Sequence, residues 1–533
     1  MGHSSSVLAR LAWIALNMAI AAQAIAGPPR SQSFQLLEAT IDSVHAAFEN
    51  RQITCRSLVE SYIARISGYD RVGPSLTSVQ TVNPVALQDA DRLDAAFKFS
   101  GRLSPLHCVP VLVKDQIEAG GMPTTYGSVV FKDFTSHRDA TAVERMKQAG
   151  AIILAKSTMG EFAARYAGSA FGLTRNPYDL RRNPGGSSGG TAAGLAANLG
   201  LIGLGQDTGG SIRGPAANNS LVGLRPTVPI VSRHGTLPSR PSTDTLGPMA
   251  RTVRDAAILL DVIAGYDPRD AVTAYSVGNV PGSYAALLDR NGVRGARLGV
   301  IRAPMDPSAD PASADYLNVK VVIDRAINDL ERLGARVVND LLIPGLDERI
   351  TRMYHNNRFE TELAINAYLA EHSNAPVKSL FEIVSSNKVV PSRERGLRAS
   401  LGATTRDAGF LDVLLAKEET RQIVLQLMAD NRLDAILYAS SDHQPTEIVA
   451  DVLTNPAPTD RYNRGSNRYL ASGLGFPAIT VPAGFTTDGL PVGLELMGRP
   501  FSEGTLLMLA YAFEQGTHHR KAPILAPALP RQP

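Results

Sequence analysis

Cysteine and tryptophan are scarce in this chain. Its 533 residues hold two cysteines, Cys55 and Cys108, and one tryptophan, Trp13. Two cysteines cannot build the dense disulfide framework of a small secreted scaffold. In an oxidising compartment the two could pair, but Cys55 falls in a helix-like pattern and Cys108 in a strand-like one, which favours two packed thiols over a bridge. The ten histidines are scattered, with no H-E-x-x-H, and no C-x-x-C occurs, so a zinc centre lacks its ligand spacing. The pair His518-His519 reads as solvated. No charge of one sign dominates: 53 Lys and Arg stand against 50 Asp and Glu, a net charge of +3 that gives nucleic acid no electrostatic footing. At 44% hydrophobic and 19% charged residues, the chain is neither disordered nor a polytopic membrane protein.

Long apolar runs are missing with one exception. Residues 11–25 are apolar apart from Asn17 and Gln23, follow the basic Arg10, and end at Ala24-Ile25-Ala26 before Gly27-Pro28-Pro29. Basic flank, short apolar stretch and small-residue cleavage site read as a secretory signal peptide over residues 1–26. The run is shorter than the ~20 residues a spanning helix needs, so the competing reading as an uncleaved anchor is disfavoured. The expected product, residues 27–533, is exported to the periplasm or medium with no stable membrane insertion after cleavage.

Elsewhere the pattern alternates. Residues 34–67 repeat at helical spacing with a break near Asn50 and Thr54; 78–82 reads as a strand, and Asn83-Pro84 opens a helix to Phe97. A strand over 109–113 ends in Lys114-Asp115. Helix, glycine and strand follow one another at 141–155 and again at 315–338, and strand signals return at 434–438, 478–481 and 492–497 before a closing helix at 502–515. Such alternation predicts a single large α/β domain, a mixed central sheet covered by helices. Between 267 and 433 the patterning loosens into a largely helical region with no catalytic-looking cluster.

The most informative stretch is 185–227, GGSSGGTAAGLAANLGLIGLGQDTGGSIRGPAANNSLVGLRPT. Two Gly-Ser clusters flank a helix-then-strand pattern, and glycines let several backbone N–H groups converge on one oxygen. Gly186-x-Ser188-x-Gly190 formally matches the elbow of α/β-hydrolases, but that elbow must follow a strand and the preceding 176–184 is polar and proline-bounded. The third glycine of a dinucleotide fingerprint is replaced by Thr208, and no phosphate-loop Gly-Lys-Ser/Thr occurs. Ser385-x-x-Lys388 lacks the companion motifs of penicillin-binding enzymes.

Three motifs stand in order: VPVLVKD at 109–115, GGSSGG at 185–190 and DTGGSIR at 207–213, with GLRPT at 223–227, DTLGPMA at 244–250 and LPVGL at 490–494. On these residues the chain resembles the amidase signature family over most of its length. The resemblance implies one α/β domain and a Ser–cis-Ser–Lys triad of Ser211 as nucleophile, Ser187 as bridge and Lys114 as base, without metal or organic cofactor. It further implies an oxyanion hole from the N–H groups of Thr208, Gly209, Gly210 and Ser211, with Ser188, Asp207 and Arg213 supporting the loop. The absence of histidine from every motif argues against a Ser–His–Asp machine.

Thr174-Arg175-Asn176-Pro177-Tyr178, the export signal and the length resemble the peptide-amidase and aryl-acylamidase branch. The implied substrate is a C-terminal peptide amide, and the alternative is an aryl amide or carbamate. The amidase component of a tRNA-dependent amidotransferase is the reading from another class, disfavoured by export. Phe162, Tyr166, Phe171 and Leu173 lie between the lysine and serine motifs as candidates for an apolar substrate pocket or, equally, for ordinary core packing; Tyr438 and His443 are candidates for a pocket or its rim. The partner expected is a small-molecule or peptide amide, with no nucleic acid; oligomeric state is left open.

Overall fold

A computed structural model of the chain describes residues 34–101 and 103–530; the expected signal peptide lies outside them. Thirteen strands are formed by the described residues. They are β1 (Val79–Val82), β2 (Pro110–Lys114), β3 (Ile152–Ser157), β4 (Ala167–Gly168), β5 (Gly172–Leu173), β6 (Ile202–Asp207), β7 (Val222–Arg225), β8 (Thr245–Ala250), β9 (Arg297–Val300), β10 (Arg336–Val338), β11 (Ala435–Ala439), β12 (Ala478–Phe485) and β13 (Pro491–Met497). Eleven of them make one mixed sheet in the order β1-β3-β2-β6-β8-β7-β12-β13-β11-β9-β10, while β4 and β5 form a separate small hairpin.

The centre of that sheet positions the chemistry. β2 runs parallel to both β3 and β6, with Val113 level with Leu204, so Lys114 at the end of β2 meets the end of β6. Every residue of β2 and β6 is buried, as expected for inner strands covered on both faces. The connection between β3 and β6 carries the first Gly-Ser cluster, which leads into the helix Gly189–Ala196, and that helix packs back on β2 and β6. β8 returns antiparallel to β6, pairing Asp207 with Thr245 and bringing Asp244 beneath the loop that follows β6.

The N-terminal helices Ile41–Glu49 and Cys55–Tyr69 start where the break at Asn50 to Thr54 predicts, each closed by a Thr/Ser capping box, Thr40 with Ser43 and Thr54 with Ser57. The looser region 267–433 does hold helices, Ala314–Arg332, Thr361–Ala370, Leu380–Ser385, Pro391–Arg398 and Ala408–Asp430, but β9 and β10 inside it extend the same sheet in parallel. A large mixed sheet flanked by helices is therefore the architecture, as expected.

Two expectations are corrected. Cys55 and Cys108 are not separate thiols; they form a disulfide, with Cα atoms 5.4 Å apart. The physical reason is that Cys108 lies in the turn before β2, at φ 58°, and not in a strand, so its side chain is turned toward the first residue of the Cys55–Tyr69 helix. His519 is not merely solvated: its Nε2 sits 2.8 Å from Asp329 Oδ2. Among the described residues no helix is long and apolar enough to cross a membrane.

Candidate active site

Lys114 is fully buried at the end of β2. Its Nζ donates to Ser187 Oγ at 2.8 Å, to the Gln206 carbonyl at 3.1 Å and to Gln206 Oε1 at 3.3 Å. Burial is the dominant influence on this amine and pulls it down to about 7, against the opposing pull of Asp207, Asp244 and Asp115. Gln206 is held in place from its other end, Nε2 donating to Thr208 Oγ1 at 2.8 Å and to Asp244 Oδ1 at 3.1 Å. An amine shifted this far is half neutral near physiological pH and can accept a proton.

Ser187 and Ser188 come from the loop before the Gly189–Ala196 helix. The Gly186–Ser187 peptide bond is cis, as the resemblance implies, and no strand precedes it, so the α/β-hydrolase elbow does not apply. Gly186 has no room for a side chain: a Cβ there would lie 1.6 Å from the Arg165 carbonyl oxygen. Ser187 accepts through its carbonyl from Gly160 N at 3.1 Å, and Ser188 N donates to the Ser211 carbonyl at 3.2 Å, tying the two serine loops together. Ser188 Oγ donates to the Gln206 carbonyl at 3.3 Å, a supporting contact.

Ser211 lies on the turn between β6 and the helix Arg213–Asn218 and lines a cavity of about 220 Å³. Its hydroxyl has no hydrogen-bond partner among the described residues. The turn is built around Asp207, whose carboxylate accepts from Gly210 N at 2.8 Å, Ile212 N at 3.0 Å, Arg213 Nε at 3.3 Å and Arg225 Nη1 at 2.8 Å. Burial alone would raise this carboxyl, but Arg213 and Arg225 reverse that and hold it well below the usual carboxylate range. Arg213 in turn pairs with Glu495 on β13 and donates to Ser472 Oγ at 2.7 Å and the Arg468 carbonyl at 2.9 Å. Asp207 and Arg213 thus form a buried charged frame for the turn, the scaffold the sequence suggests.

That frame corrects one expectation. The Gly210 N–H is committed to Asp207, so it leaves the set of four oxyanion donors; the N–H groups of Thr208, Gly209 and Ser211 remain without partners among the described residues. Glycine is required beside them, since a Cβ on Gly209 would meet Tyr354 Oη at 1.8 Å.

The four apolar candidates do not line this cavity. Phe162 is buried in an aromatic cluster with Tyr126, Phe131 and Phe134, and Tyr166 donates to Asp460 Oδ2 at 2.8 Å beside a small cluster that includes Leu173. Phe171 sits at the turn of the β4–β5 hairpin. Packing against the body of the protein captured these side chains. Tyr438 lies behind the turn, donating to Glu495 Oε1 at 3.0 Å, and His443 pairs with Asp315 at 2.8 Å.

The walls include Gly186, Thr208 and Gly209 from the two serine loops together with Arg240, Tyr354, His355, Arg393, Tyr462, Arg468 and Tyr469. Of these, Tyr354, His355 and Arg393 come from the region that the sequence left without a catalytic-looking cluster. Gln206, Asp244 and Arg225 were also missed, although each sits inside or beside a motif quoted for the resemblance. Through Arg165, His355, Tyr462, Asn463 and Tyr469 the small cavity shares walls with a vestibule of about 730 Å³. Among the described residues no group of three or more His, Cys, Asp or Glu side chains is placed to hold a metal ion.

Fold and site together define a class, enzymes that hydrolyse amide C–N bonds. The family model described as Amidase matches residues 57–507. A protein named as a probable amidase of Arabidopsis thaliana is 34% identical over 518 residues, covering 92% of this chain and 93% of the relative. A glutamyl-tRNA(Gln) amidotransferase subunit of Symbiobacterium thermophilum is 36% identical over 486 residues, covering 88% of this chain and 95% of the relative. Among solved structures, the native peptide amidase of Stenotrophomonas maltophilia superposes with a TM-score of 0.80 at 34% identity, covering 92% of this chain and 99% of that one. The chain belongs to the amidase signature family and is an amide hydrolase.

Proposed function

We propose that this protein removes the C-terminal amide nitrogen of peptides as ammonia, through an acyl-enzyme on Ser211. The observation that carries the reading is the 2.8 Å contact between a buried Lys114, pulled down to about 7, and Ser187, on the loop tied to the Ser211 turn.

Ser211 Oγ attacks the amide carbonyl carbon while its proton passes to Ser187 Oγ, whose own proton moves to Lys114 Nζ. Negative charge on the carbonyl oxygen is met by the N–H groups of Thr208, Gly209 and Ser211; one such donor is worth roughly 2.7–4 kcal/mol to a transition state of this kind. The C–N bond breaks as the nitrogen takes a proton back along the same relay and leaves as ammonia. Water then attacks the ester carbonyl, gives its proton to the relay, and releases the carboxylate with Ser211 restored.

Peptide amides are favoured over anilides by the walls. The cavity beside Ser211 is lined by arginines, tyrosines and backbone, not by the apolar set Phe162, Tyr166, Phe171 and Leu173. A vestibule of about 730 Å³ leaves space for several residues of peptide. The name of the Stenotrophomonas neighbour supports the same choice. Mass spectrometry of products from a peptide amide, the matching free peptide and an acyl anilide tests it, with Ser211→Ala as the blank. Loss of only the terminal nitrogen, the free peptide surviving, is the expected result; cleavage of the anilide alone would move the aryl-amide or carbamate reading into its place. Ammonia release by the purified single chain also separates a free hydrolase from a component of an amidotransferase.

Export belongs to the same proposal. It is supported by Arg10, the apolar run 11–25 and Ala24-Ile25-Ala26, and by the Cys55–Cys108 disulfide, which suits an oxidising compartment. N-terminal sequencing of protein recovered from the periplasm or medium is expected to begin at Gly27; a chain retained in the cytosol with residues 1–26 intact would contradict it.

A further inference from the structure

The cavity beside Ser211 carries an excess of positive charge. Arg165, Arg240, Arg393 and Arg468 all line it, and among the described residues only Arg165 has a carboxylate partner, Asp460. Arg240 lies on Tyr354, 4.1 Å from the ring centre, donating to its carbonyl at 2.7 Å and its hydroxyl at 2.9 Å. Arg468 packs over Gly210 and Gly214 of the nucleophile turn. Arg393, on the helix Pro391–Arg398, makes no side-chain hydrogen bond or ion pair among the described residues, and its Nε is buried without a partner.

The nearby acids are all engaged elsewhere. Glu161 accepts from Val390 N at 2.7 Å and Ser169 Oγ at 2.6 Å. Asp244 accepts from the backbone of Ser239 and Arg240, and Glu360 from Ser242 and Asn357. A half-buried guanidinium with no ion-pair partner among the described residues is unfavourable, and a second arginine beside it adds repulsion. Burial first, then Arg240, lowers the Arg393 pKa to about 10 against the opposing pull of Glu161 and Tyr354, which leaves it charged at neutral pH. What relieves both penalties is an anion entering with the substrate, and a planar guanidinium matches a carboxylate in two parallel hydrogen bonds.

We propose that Arg393, with Arg240 beside it, recognises a carboxylate on the acyl part of the substrate, so that the preferred amides are acidic. The inference rests on Ser211 as the reacting group. When ammonia is the leaving group, the rest of the substrate is acyl chain, so any recognised charge must lie there. A cavity of about 220 Å³ leaves room for the few carbons of an acidic side chain between Ser211 and the guanidinium.

The test compares kcat/KM for Ala-Glu-NH2 and Ala-Met-NH2, and for glutaric monoanilide and hexananilide. The wild-type enzyme is expected to prefer the acidic member of a pair at least tenfold. Arg393→Met is expected to bring that ratio down at least tenfold, and Arg393→Lys to restore part of it. A wild-type ratio at or below one overturns the inference without any variant, and an unchanged ratio in a folded Arg393→Met removes Arg393 from it. Peptide amides cleaved with no charge preference would sink this inference and leave the proposed function standing. If peptide amides are inert and glutaric monoanilide is still preferred over hexananilide, the peptide reading falls and the recognition of a carboxylate stands.

Discussion

In the proposed relay Lys114 is the base, and a lysine serves as a base only when it can lose its proton near neutral pH. Its burial at the end of β2 pulls it to about 7, so below that value the amine is protonated and cannot accept from Ser187. The sign follows directly: kcat/KM is expected to rise with pH through about 7 and then level off, and a pH–rate profile of the wild-type enzyme checks it. A flat profile between pH 5 and 9 would require another base. Ser187→Ala removes the proposed bridge between Ser211 and Lys114, and steady-state kinetics is expected to show kcat lower by roughly 10²–10⁴-fold, the usual range for a lost proton-transfer group.

Among the elements, the turn after β6 carries most of the site and depends on charges far away in sequence. Asp207 accepts from two backbone N–H groups and two arginines, and Arg213 reaches across to Glu495 on β13. Asp207→Ala would leave Arg213 and Arg225 buried with their shared counter-charge gone. Chemical denaturation is expected to show a loss of about 3–5 kcal/mol, the usual result of breaking one side of a buried ion pair. A loss under about 1 kcal/mol would mean that the frame is not held by these charges. Gly186→Ala makes the complementary point about shape, since its Cβ would fall 1.6 Å from the Arg165 carbonyl. That variant is expected to lose activity in the same assay even where circular dichroism reports a folded chain.

How far the sequence reveals these elements depends on whether their residues are contiguous. Lys114, Ser187 and the 207–213 turn are each carried by a short unbroken motif, because a strand end or a glycine turn is specified locally. Asp207 and Arg213 as scaffold were legible for the same reason. The walls of the cavity were not. Tyr354, Arg393, Tyr462 and Arg468 come from distant segments, and only the tertiary fold brings them to Ser211. Phe162 and Tyr166 lie at the right place along the chain, but the neighbouring aromatics and Asp460 offer them better burial. Gly210 shows the limit within a motif: its N–H was expected to face the substrate, and only the three-dimensional position of Asp207 assigns it elsewhere.

For the whole molecule, the Cys55–Cys108 disulfide fastens the N-terminal helices to the turn that leads into β2, the strand bearing Lys114. It closes a loop with a sequence separation of 53, for which the chain-entropy argument gives about 4 kcal/mol. Reduction, or a Cys55→Ala/Cys108→Ala pair, is expected to lower Tm by scanning calorimetry, while Tm under reducing conditions equal to that of the oxidised protein would show that the bridge is absent in solution. The residues flanking Cys108 read as strand from their apolar character, and the turn that permits the bridge was hidden by that pattern.

Ser211, the proposed nucleophile, lines a cavity that shares walls with a larger vestibule, so reagents and substrates share one approach to it. The most direct measurement is labelling of the purified enzyme with a fluorophosphonate, followed by peptide mapping and residual-activity assay. One adduct per chain is expected, on Ser211, with activity lost in proportion and labelling slowed by a peptide amide. An adduct on any other residue accompanied by loss of activity, or full amidase activity after Ser211 is labelled, would contradict it.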